Sequence, residues 1–62
     1  MERLTEQARR LSSGTIASLT GETRYEDIEL IQDRFVHFCG TLADPPLKWQ
    51  DAWKMFEEYR TR

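Results

Sequence analysis

From Ile28 onward, apolar residues recur at three- and four-residue spacings: Ile28, Ile31, Phe35, Phe38, Cys39 and Leu42. At about 100° per residue they fall within roughly one third of a helical circumference, which defines an amphipathic helix with one buried stripe. Upstream, Thr23-Arg24-Tyr25-Glu26 fits a capping box. In that arrangement the Thr hydroxyl accepts from the Glu26 N–H and the Glu carboxylate accepts the Thr23 N–H, so the helix is expected to open there. Gly40 is the natural residue to leave the helix in left-handed geometry; the alternative is that the last turn runs on to Leu42, which stays in phase.

Pro45 and Pro46 then punctuate the chain. A residue that precedes proline is pushed out of the α region, so the next helix is expected to open at Pro46 or just after. Along it Trp49, Ala52, Trp53, Phe56 and Tyr59 share one face, with Lys48, Gln50, Asp51, Lys54, Glu57 and Glu58 on the rest. Glu58 and Arg62 stand four residues apart as a favourable pair near its end. This segment holds both tryptophans, and because aromatics bury the most area per residue, its face reads first as core. A stacking platform for nucleic-acid bases would need basic neighbours, and Asp51, Glu57 and Glu58 are poor ones.

The first segment is less regular. Leu4, Ala8, Leu11, Thr15 and Leu19 could form one long stripe, which leaves Ile16 off it, yet Ser12-Ser13-Gly14 sits in the middle. A glycine there costs about 1 kcal/mol relative to alanine. The favoured expectation is therefore a helix interrupted near Ser13-Gly14 and closed by Gly21.

These patterns predict an all-α, small three-helix domain covering residues 1–62, with loops of the length usual in helical bundles. A chain of 62 residues buries only about 60% of the surface its unfolded form exposes. Dimerisation is accordingly one way to complete the core. Cys39 is the only cysteine and His37 the only histidine, which excludes an internal disulfide and a four-ligand structural zinc site. No apolar run approaches the roughly 20 residues of a membrane span, and the N-terminal stretch carries charges where a secretory signal needs an apolar run. A cytoplasmic protein is expected.

Candidate chemistry is sparse. His37 falls about 180° from Ile28 on the helical wheel, on the face opposite the buried stripe. Cys39 lies inside that stripe, where a free thiol behaves as a small hydrophobe. Positions 37 and 39 point about 200° apart, so the two cannot form a nucleophile pair. No glycine-rich phosphate loop is present. The chain is expected to be no enzyme and to carry no cofactor, no metal and no small-molecule substrate.

The net charge of −2 is unevenly placed: residues 1–21 carry +1, residues 22–44 carry −4, and residues 45–62 carry +1. Glu26, Glu29 and Asp33 share the exposed side of the middle helix. Leu30, about 160° from Ile28, belongs to that side too. These four residues are the candidate partner-binding face, since an acidic surface can dock a basic one by electrostatic complementarity. Met55, which borders the aromatic face, and Ile16 are the other apolar residues expected at the surface.

The expected function is a small non-catalytic protein–protein interaction or regulatory protein: an adaptor, inhibitor or accessory subunit, with another protein or a second copy as partner. The alternative is a DNA-associated regulator. Ala17 followed four residues later by Gly21 resembles the rhythm of helix-turn-helix proteins, and Arg3, Arg9 and Arg10 could meet phosphates. The resemblance implies that residues 24–35 form the recognition helix. That helix would turn Glu26, Asp27 and Glu29 toward phosphates, which ranks nucleic acid second.

Overall fold

The computed structural model describes residues 3–61, which form α1 (Leu4–Arg9), α2 (Ser13–Thr20), α3 (Tyr25–Thr41) and α4 (Trp49–Arg60), with no strand among them. The expected interruption of the first helix is real and divides it into α1 and α2. The three-helix plan thus appears with its first member in two pieces. Arg62, and with it the expected Glu58 pair, lies outside the described residues.

The break falls at Arg10–Ser12, slightly ahead of Ser13-Gly14. Ser12 is extended, and its hydroxyl accepts the Thr15 N–H at 3.1 Å, so it is the N-cap of α2. A side-chain acceptor at this position satisfies one of the orphan N–H groups of a helix start. From α3, the Gln32 side-chain NH2 reaches the carbonyls of Ala8, Arg9 and Leu11 at 2.8 to 3.2 Å. Carbonyls left without an intrahelical partner where α1 stops are satisfied from across the fold. At the far end of α2, Gly21 adopts φ 76° and its N–H donates to Ala17 at 2.7 Å, the left-handed closure the sequence predicts.

Two boundaries differ from expectation, and at a third, Gly40, the helix takes the expected alternative of running on toward Leu42. The capping box does not form: Arg24 is the residue ahead of α3 and its side chain makes no cap bond, which places Thr23 one residue too early to reach the first turn. An exposed Arg24–Glu26 ion pair at 3.8 Å lies there. Gly40 stays inside α3, which runs to Thr41 before Leu42 turns extended. Finally, α4 opens at Trp49, three residues beyond Pro46. Gln7 explains the delay, because its side-chain oxygen accepts the Trp49 N–H at 3.1 Å and its NH2 donates to the Leu47 carbonyl at 3.0 Å. An α1 side chain therefore sets the start of α4.

The core gathers Leu4, Ala8, Ile16, Ile28, Ile31, Phe35, Cys39, Ala52, Trp53 and Phe56. Helix α3 is the hub on which α1, α2 and α4 all pack. Phe35 is fully buried at its centre, edge-on to Trp53 with ring centroids 4.9 Å apart and 5.3 Å from Phe56. The Trp53 indole N–H donates to the Glu57 carboxylate one turn on, which meets the need of a buried indole for a partner. Among the described residues no buried side-chain polar atom lacks a partner.

Three aromatic or apolar assignments reverse. Ile16, expected at the surface, is fully buried, and Leu19, expected in the stripe, is 41% exposed. The break at Arg10–Ser12 restarts the helix with a new axis, so the phase carried from Leu4 no longer applies. Tyr59, expected on the buried face of α4, is 65% exposed: its ring packs on Phe38, which is itself only half-buried. Met55 is exposed as expected. The Cα framework spans 31 × 28 × 15 Å, and its shortest dimension is that of two packed helix layers.

Candidate protein-docking surface

Two adjoining surfaces on α3 follow from its wheel. The first is an acidic ridge: Glu26, Glu29 and Asp33, with Leu30 beside them, are all exposed. The second begins where Leu30 and Asp33 turn toward α4. There Glu22, Asp27, Leu30, Asp33, Arg34, His37, Phe38, Phe56, Tyr59 and Arg60 line a groove of about 1180 Å³ that is open to solvent along its length. Leu30 and Asp33 therefore belong to both surfaces, whereas Glu26 and Glu29 are outside the groove.

The aromatic residues connect groove to core. Phe56 packs on Phe35 and on Phe38, with centroids 5.3 and 5.4 Å apart, and Phe38 packs on Tyr59 at 5.5 Å. The series starts at a fully buried ring and ends at an exposed one. Arg60 lies over the Phe56 ring, 5.8 Å from its centroid, within the range of a cation–π contact. The half-buried Phe38 and exposed Leu30 and Tyr59 give the groove an apolar floor with charges on its walls.

Sequence reasoning identified Leu30 and Asp33 but missed the α4 side of the groove, Tyr59 and Arg60. Helical phase marks Tyr59 as apolar-facing and is silent on whether a neighbour reaches that far.

Cys39 and His37 are separated as the wheel requires, the thiol buried in the core and the imidazole exposed on the groove. Burial pushes the Cys39 thiol up to about 11 from an ordinary 9.0, with a backbone hydrogen bond offsetting part of the rise. Raising the pKa removes thiolate at neutral pH, and the thiolate is the reactive form. Among the described residues no three His, Cys, Asp or Glu side chains converge as a metal site would require. None of the described helices is long and apolar enough to cross a membrane.

Comparison with protein-family models, with curated proteins and with solved structures gave no match.

Proposed function

We propose that this chain is a small non-catalytic protein that docks another protein through the acidic ridge of α3, as an adaptor, inhibitor or accessory subunit. The observation that carries the reading is the alignment of Glu26, Glu29 and Asp33 on one exposed helix face beside half-exposed Leu30. Three carboxylates around one apolar side chain suit a basic protein surface that contributes an apolar contact. Steering by such a face acts mainly on association rate and weakens as salt rises. A cytoplasmic setting accords with the free, buried thiol of Cys39.

The test is affinity capture from the native cell with the wild-type chain and with Glu26→Lys/Glu29→Lys/Asp33→Lys. All three positions are exposed, so the helical circular dichroism of the variant should equal that of the wild type. The expected result is loss of the captured partner and of the salt dependence of its binding. Retention of both rejects the ridge as the docking surface.

A second reading, DNA association, rests on one feature: α2 and α3 are joined by residues 21–24, with Gly21 at φ 76°, as in a helix-turn-helix. The exposed acids on α3 oppose it, since nonspecific affinity comes from neutralised phosphates. Titration with duplex DNA across salt concentrations decides it, and no binding at low salt removes this reading.

A further inference from the structure

We propose that the groove between α3 and α4 is filled by a second copy of this chain, giving a two-fold dimer in which the two α3 helices run antiparallel. This goes beyond the acidic ridge: the groove shares Leu30 and Asp33 with it, whereas Glu26 and Glu29 lie outside and Glu22, Asp27, Arg34 and Arg60 belong to the groove alone.

Surface area supplies the first argument. A folded monomer of 7.4 kDa is expected to expose about 4,200 Å². This chain exposes 4764 Å², an excess of roughly 550 Å² over that scaling. A standard interface takes about 800 Å² from each partner, so a contact confined to this groove would make a small, reversible dimer. Leu30 and Tyr59, both exposed on the groove, contribute to the excess.

Charge supplies the second argument and selects the occupant. On α3, Asp27 and Asp33 come first along the groove, preceded by Glu22, and Arg34 follows, with His37 one turn further on. Arg60 adds a second guanidinium over Phe56, the ring that packs on Phe35 and Phe38 in the second half of α3. A uniformly basic partner would meet Arg34 and Arg60, and a uniformly acidic one would meet Asp27 and Asp33. A two-fold rotation sets the acidic half of one α3 against the basic half of the other, and does so twice. Self-complementarity of this kind is what a two-fold interface requires. Leu30, Phe38 and Tyr59 then become the desolvated centre inside a charged rim.

Sedimentation equilibrium of the full chain from low micromolar to millimolar concentration tests this, with two reversed chains whose positions are all outside the ridge: Glu22→Lys/Asp27→Lys and Arg34→Glu/Arg60→Glu. The wild type is expected to dimerise with a micromolar dissociation constant. Each reversed chain alone should associate more weakly by roughly tenfold or more, because like charges then oppose one another. An equimolar mixture of the two should recover the dimer, since each supplies what the other lacks. Unchanged circular dichroism of the reversed chains excludes misfolding as the cause of weak association. A wild type that stays monomeric at millimolar concentration overturns the inference, as does undiminished self-association of either reversed chain or failure of the mixture to recover. Both reversed chains keep Glu26, Glu29 and Asp33, so partner capture by them reads the ridge separately from self-association.

Discussion

Gln7 in α1 holds the first N–H of α4: its side-chain oxygen accepts from Trp49 at 3.1 Å across 42 positions of sequence. The same side chain donates to Leu47, so one residue positions both the loop after Pro46 and the helix that carries Tyr59 and Arg60 to the groove. Gln7→Ala leaves the Trp49 N–H to water. The expected loss is about 1 kcal/mol, the usual worth of a helix cap, read from urea unfolding. Gln7→Glu keeps the acceptor for Trp49 and loses the donor to Leu47, and should recover part of that loss.

Gly21 and Gly40 should respond to alanine with opposite signs. Gly21 sits at φ 76°, where a Cβ is strained whatever space surrounds it. Gly21→Ala is expected to cost about 1 to 2 kcal/mol. Gly40 lies inside α3 and its added Cβ would meet only the Thr5 methyl at 3.6 Å, an ordinary contact. Gly40→Ala should stabilise by up to about 1 kcal/mol through helix propensity. Paired thermal melts give both signs in one experiment.

Phe35→Ala should abolish the cooperative fold. A chain of this length has a stability of roughly 3 to 9 kcal/mol by the per-residue range for native proteins. Truncating a buried phenylalanine costs about 3 to 5 kcal/mol. Phe35 touches both Trp53 and Phe56, so the loss removes the centre of the core. The measurement is the unfolding transition followed by tryptophan fluorescence, with a sloping, non-cooperative trace expected at 25 °C.

The Cys39 thiol makes stability depend on alkaline pH. Its pKa in the fold is raised to about 11 from 9.0, so between these values the folded chain keeps a proton that the unfolded chain has lost. The native state binds more protons there, and stability must fall as pH rises. The contribution is complete below pH 9.0 and disappears as pH climbs through about 11. Cys39→Ala removes this thiol's titration, so the difference in unfolding free energy between wild type and variant should narrow across that window. Alkylation at neutral pH should be slow in the native wild type and fast in urea, since burial withholds the thiolate.

The all-α architecture was legible because helical periodicity is written locally. Ile28, Ile31, Phe35 and Cys39 are buried as their spacing requires, and so are Ala52, Trp53 and Phe56. Glu26, Glu29, Leu30 and Asp33 are exposed for the same reason. Gly21 closes α2 because a left-handed residue is a local demand that glycine meets.

What spacing along one helix leaves open is where its neighbours stop. Tyr59 is in phase with Phe56, yet Phe56 packs on the buried Phe35 while Tyr59 packs on the half-buried Phe38, which leaves its ring exposed. Ile16 and Leu19 exchanged places because a break at Arg10–Ser12 reset the axis of α2, and Gln32, far off in sequence, satisfies the carbonyls that the break left free. Helix type, buried stripes and the acidic ridge are properties of single segments, fixed by the 3.6-residue turn and readable from the chain alone. The phase of α2, the start of α4 under Gln7 and the groove with its opposed charges depend on side chains 20 to 40 positions apart, so the packed tertiary structure alone decided them.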